Sequence, residues 1–121
     1  MLTALGKFLR KLRIDNGEIL KDMADKLGVT ASFLSAVENG KKHMPSAWNQ
    51  TICSMYQLND SQIKEFTAAI AETEDRIEMD LSKVPTAHRK LAVSFARKFT
   101  DFDERQIQSF IELLKGDNNN T

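Results

Sequence analysis

The chain has 121 residues, 41% of them hydrophobic and 28% charged, with 17 basic and 17 acidic side chains and no net charge. That is the size of one domain, or of a small domain with an extension, and five Gly, two Pro and one Cys exclude collagens, long disordered chains and disulfide scaffolds. The neutral total hides an asymmetry: residues 1–58 carry eight basic and five acidic groups, a net +3, and residues 59–121 carry nine and twelve, a net −3.

Leu2, Leu5, Leu9 and Leu12 recur at helical spacing, so an amphipathic helix is expected over Leu2 to Ile14, ended by Asp15-Asn16-Gly17. Leu20, Met23, Ala24 and Leu27 mark a short second helix stopped by Gly28, and Thr30 caps a third carrying Phe33, Leu34 and Val37. Asn39-Gly40 closes that helix, and Lys41-Lys42-His43-Met44 is a basic loop. Pro45 stands before or at the start of a fourth helix, with Ser46 as the competing cap and Trp48, Ile52 and Met55 facing inward. Asn59-Asp60-Ser61 caps a fifth, with Ile63, Phe66, Ala69 and Ile70 as its apolar residues. Over Arg76 to Leu81 apolar and polar residues alternate as in a strand, although Ile70, Ile77, Leu81 and Val84 also fit a helix. We expect a short strand there, paired with its own copy across a two-fold axis. Pro85-Thr86 opens a sixth helix and Thr100-Asp101-Phe102-Asp103 a seventh, ended by Gly116. The reading is mainly α. It divides into residues 1–60, a helical region over 61–116 that dimerises or meets a partner, and a disordered tail over 117–121.

Leu20 to Gly40 carries the most information. Two short helices flank Gly28-Val29-Thr30, and a small side chain, Ala24, stands where they would cross. A turn this tight needs a residue without Cβ strain, and a close crossing needs a small one. That is the layout of a helix-turn-helix, in which the second helix exposes its outer face.

Leu5-Gly6, Arg10-Lys11-Leu12-Arg13, Met23-Ala24-Asp25-Lys26-Leu27-Gly28-Val29-Thr30 and Leu34-Ser35-Ala36-Val37-Glu38-Asn39-Gly40-Lys41 together resemble the Xre-type helix-turn-helix family of phage repressors and Cro proteins. The resemblance covers Leu5 to Leu58. It implies a five-helix, lambda-repressor-like DNA-binding domain that works as a homodimer on operator half-sites. It also implies that Thr30, Ala31, Ser32 and Ala36 face the bases and that Ser35 belongs to the same DNA-binding surface. Asn39, Lys41, Lys42 and His43 would contact phosphates, and Arg13 would pair with Glu38. Phe33, if outward, would meet a thymine methyl or a sugar. The family places a polar cap and a glutamine at the start of its second helix, whereas this chain has Ile19-Leu20. Ala31, Ser32 and Ala36 lack the two-pronged hydrogen bonds of Arg, Gln or Asn, so specificity is expected to rest on half-site spacing, DNA shape and apolar contacts.

The remaining chemistry reads as structural. Cys53 is a small core hydrophobe without a second thiol, and His43 and His88 have no ligand partners at metal spacing. Asp101, Asp103 and Glu104 suit the mouth of a helix, where free N–H groups favour acids. No phosphate-cradling glycine loop or nucleophile motif occurs, so no enzyme, cofactor or metal is expected. The lone cysteine, and an N-terminus unlike a secretory segment, point to the cytoplasm. The reading is a dimeric transcriptional repressor. An alternative is the antitoxin of a toxin–antitoxin pair, binding a toxin through its C-terminal helices while repressing its own operon.

Overall fold

Thr3 starts the first helix: its hydroxyl accepts from the Gly6 N–H at 3.0 Å, satisfying one of the donors that a helix leaves free at its N-terminus. In the computed structural model, which describes residues 1–119, this helix, α1, spans Ala4–Asp15. It is followed by α2 (Leu20–Leu27), α3 (Ala31–Glu38), α4 (Trp48–Met55), α5 (Asp60–Thr73), α6 (Thr86–Lys98) and α7 (Glu104–Asn119), with one turn of 3-10 helix over Phe99–Asp101 before α7.

Among the described residues all regular structure is helical. The strand expected over Arg76 to Leu81 does not form. Residues 76–81 have no regular structure in the single chain, and among the described residues no strand is present to pair with them. Two helix ends also differ from expectation. Ser46 makes no cap, and α4 begins only at Trp48, after a turn in which the Trp48 N–H donates to the Pro45 carbonyl at 3.0 Å. Nor does Gly116 end α7, which continues to Asn119. Glycine in a helix costs only about 1 kcal/mol relative to alanine, too little to force a stop. The tail expected over 117–121 is therefore helical for its first three residues, and 120–121 lie outside the described residues.

The chain forms two compact units, Met1–Met79 and a second from Asp80 onward. In the first, α1 packs against α2, α3 and α5. Leu5, Leu9, Met23, Leu34, Val37 and Ile52 are fully buried, and Trp48, Leu58 and Phe66 complete the core. This unit runs past residue 60 because α5 belongs to it. Phe66 stacks on Phe8 with ring centroids 5.1 Å apart, and the Leu5 N–H donates to the Thr73 hydroxyl at 3.1 Å. The α5 start is a reciprocal capping box, Asn59 with Gln62, at 2.8 and 2.9 Å.

Two contacts fix α3 onto α1. Arg13 and Glu38, both buried, form a two-pronged ion pair, Nη1 with Oε2 and Nη2 with Oε1, and Nη1 also lies 3.5 Å from the Met23 sulfur. The second contact is backbone to backbone. The Glu38 carbonyl accepts from the Thr3 N–H at 3.0 Å and the Thr3 hydroxyl at 3.1 Å, directly against Gly6.

In the second unit Arg89 donates to the carbonyls of Leu81 and Ser82 at 2.8 and 3.1 Å, which fastens the entry to α6. Asp103 and Gln106 form a capping box at the start of α7, at 2.9 and 3.0 Å. Of the three acids at this helix mouth, Asp103 thus serves as the cap.

Candidate nucleic-acid interface

Gly28 adopts φ +72°, the left-handed conformation that lets the chain leave α2 abruptly, and the Val29 N–H reaches back to the Ala24 carbonyl at 3.0 Å. Thr30 then caps α3, its hydroxyl accepting from the Phe33 N–H at 3.0 Å. Ala24 is buried at the crossing. Leu34, Val37 and Glu38 form the inner face of α3, which leaves the other face outward.

That outer face is made of small side chains. Ala31, Ser32, Ser35, Ala36 and Asn39 line a shallow depression together with Leu20 and Lys41. Ser32 is exposed, while Ala31, Ser35 and Ala36 are half-buried. Past the helix end, Gly40 takes φ +77° and the N–H groups of Lys41 and Lys42 fold back onto the Ala36 carbonyl at 2.8 and 3.3 Å. Both lysine side chains are exposed beside the depression.

Three sequence-predicted contact residues are placed differently. Phe33 turns aside from this face and meets Trp48 edge-on, with centroids 6.0 Å apart, so it packs on the core. Asn39 spends its amide on its own helix, donating to the Ser35 carbonyl at 2.8 Å. His43 is engaged by Glu74, just past the end of α5: Nδ1 lies 2.7 Å from Oε2, while Oε1 accepts from the Met44 N–H at 2.8 Å. The Nδ1 side of the ring is thus turned to a carboxylate of its own chain.

The start of α2 differs from the family pattern in a way the structure explains. No side chain at Ile19 can cap it, and the Asp22 carboxylate accepts from the Ile19 N–H at 2.9 Å. Negative charge therefore occupies the dipole end where a phosphate would otherwise lie. The sequence reading did not single out a neighbouring groove that shares Leu20, Ser35 and Asn39 with the α3 depression and adds Arg10, Ile14 and Ile19. Only the outward position of Arg10 on α1 hinted at it.

Behind the interface, Glu18 locks α2 onto the end of α4. It accepts from the Tyr56 hydroxyl at 2.6 Å and pairs with Lys26, which also sits 5.3 Å from the centre of the Tyr56 ring. Burial disfavours the Glu18 charge, but the hydrogen bonds from Lys26 and Tyr56 outweigh it and hold the carboxyl below its usual range. Burial and the Glu18 carboxylate together raise the Tyr56 phenol well above its ordinary value. Burial also pushes the Cys53 thiol up, as fits a core residue.

A family model described as a helix-turn-helix domain matches residues 4–66, slightly more than half of the chain, from the start of α1 into α5. The chain belongs to this helix-turn-helix family, which is of the Xre/Cro-like type. No curated protein and no solved structure matches it significantly. The helix-turn-helix domain is that of a DNA-binding regulator, with α2 and α3 as its two named helices. No helix among the described residues is long and apolar enough to cross a membrane.

Proposed function

We propose that the protein is a cytoplasmic, dimeric transcriptional repressor that inserts α3 into the major groove of a palindromic operator. One observation carries the reading: the outer face of α3 is free of its own chain and built from side chains small enough to let the helix sit deep in a groove. Ala31 and Ala36 suit thymine methyl groups, and Ser32 and Ser35 suit single hydrogen bonds. With the Asn39 amide turned onto Ser35, selectivity rests on half-site spacing and DNA shape. Lys41 and Lys42 supply backbone contacts, and Arg10 extends them across the neighbouring groove.

Replacing Lys41 and Lys42 together with alanine is expected to weaken binding to all duplexes alike, and to reduce the slope of log K against log salt by about 2. A fluorescence titration over a salt series reads both quantities. An unchanged slope with unchanged affinity contradicts the role given to this loop.

The antitoxin reading would place its toxin on the apolar face of α6 and α7 that the chain leaves exposed. A toxin gene beside this one, and a complex of the two proteins, would favour it.

A further inference from the structure

We propose that the basic face of α6 is a second duplex-contacting surface, which neutralises backbone phosphates flanking the stretch that α3 reads. The inference rests on the DNA-binding reading above and extends it to a part of the chain outside the helix-turn-helix domain.

Charge in the second half of the chain is sorted along its length. Residues 81–100 carry five cations (Lys83, Arg89, Lys90, Arg97 and Lys98) and no acid, whereas seven acids stand over 60–80 and five over 101–121. All five cations are exposed, and among the described residues none pairs with a carboxylate. A block of like charge repels itself, and a polyanion relieves that repulsion. Helix stability accounts for only some of these groups. The helix dipole favours cations near the C-terminus of α6, which suits Arg97 and Lys98, and Arg89 is occupied in holding the helix entry. Lys90 serves neither purpose.

Lys90 and Arg97 stand seven positions apart, so they share one face of α6 about two turns, or roughly 10 Å, from each other. Thr86, Arg89, Val93 and Ser94 line a shallow depression with Lys90 on that side. The opposite side is apolar, and there Phe95 packs on Phe99, Phe102 and Phe110 with ring centroids 5.4 to 5.5 Å apart. The unit's own packing therefore leaves the basic face to solvent, on a helix stiff enough to present its two cations to separate phosphates.

The tether says which polyanion. Glu74, at the end of α5, is held at 2.7 Å by His43 and at 2.8 Å by the Met44 N–H, in the loop that carries Lys41 and Lys42. The chain thus sets out towards α6 from beside the loop assigned to the DNA backbone. The 11 residues from 75 to 85 lie between this anchor and Thr86. Fully extended they span at most about 40 Å, and one turn of duplex is about 34 Å. Once α3 is seated in a groove, α6 is confined to about a turn of the same duplex, at an effective concentration on the order of millimolar. Weak, sequence-independent charge contacts then suffice, an advantage that a membrane or a free acidic protein would not have.

A salt series on two duplexes tests this with the full chain. One is the shortest sequence the protein enriches from a random pool, and the other is the same sequence extended by about ten base pairs, one turn, at each end. The wild type is expected to show the steeper fall of log K with log salt on the extended duplex. Lys90→Ala with Arg97→Ala is expected to lower that slope by about 2 for each copy bound, to weaken binding about tenfold, and to leave the short duplex unaffected. Both side chains are exposed, so the melting temperature is expected to hold. Lys90→Arg with Arg97→Lys, which keeps both charges, is expected to bind as the wild type does. Equal wild-type slopes on the two duplexes overturn the proposal, as does a double alanine variant with the parental slope on the extended one. Binding of phosphatidylserine vesicles that the alanine variant loses, with its duplex slopes unchanged, would assign the face to a membrane and also overturn it. A wild type that retains no duplex refutes the DNA reading itself, whereas one that binds both duplexes with a single slope refutes only the role of α6.

Discussion

Glu38→Ala is expected to lower the unfolding free energy by about 3–5 kcal/mol, the cost of leaving a buried charge without its partner. Arg13 and Glu38 are both almost wholly inside the first unit, and among the described residues the guanidinium has only the Met23 sulfur as another neighbour at hydrogen-bonding distance. The alanine variant would strand a cation in the core. Replacing both residues at once with apolar side chains of similar volume removes both charges and is expected to cost far less, or to stabilise. Urea unfolding of the two variants separates the cases. A loss below about 1 kcal/mol in the single variant would place the pair among surface-like ion pairs and contradict its role in anchoring α3 to α1.

Gly6→Ala is expected to cost about 3 kcal/mol or more, although alanine is the better helix former by about 1 kcal/mol. A Cβ at Gly6 would stand 2.2 Å from the Glu38 carbonyl oxygen and 2.9 Å from its carbon. These are backbone atoms held by Thr3, so they cannot swing aside as a flexible side chain would. The contact is relieved only by lifting the end of α3 off α1, and that tilts the helix meant for DNA. Stability and DNA affinity should therefore fall together. Gly28→Ala offers a comparison of another kind: a Cβ there meets nothing within 4 Å, and the penalty is the positive φ alone, of order 1 kcal/mol. Equal losses at the two sites would show that close helix approach at Gly6 is not what requires glycine.

The first unit was legible because its signals are local and agree with one another. Leu5, Leu9 and Leu12 mark one helix face, Thr30 and Asn59 are caps, and Gly28 is a left-handed stop, and each is decided within a few residues of chain. The differences arise where distant groups decide. Phe33 turns to Trp48, and His43 is taken by Glu74, which lies thirty-one positions away. The alternation over Arg76 to Leu81 is a strand pattern, but a strand exists only with a partner, and no spacing within one segment supplies it. The outer face of α3 was readable by a different route. Once Leu34, Val37 and Glu38 are assigned inward, the 3.6-residue period leaves Ser32, Ser35 and Ala36 outward.

Retention of short duplexes from a random pool at low salt, by the wild type and by Ser32→Glu, probes the α3 face most directly. Ser32 is exposed, so a carboxylate there leaves the fold intact while setting negative charge against the DNA backbone and bases. The wild type is predicted to enrich a two-fold symmetric site, and the variant to bind it about a hundredfold more weakly at unchanged melting temperature. Wild-type protein that retains no duplex, or a Ser32→Glu variant that binds as tightly as the parent, would contradict the account.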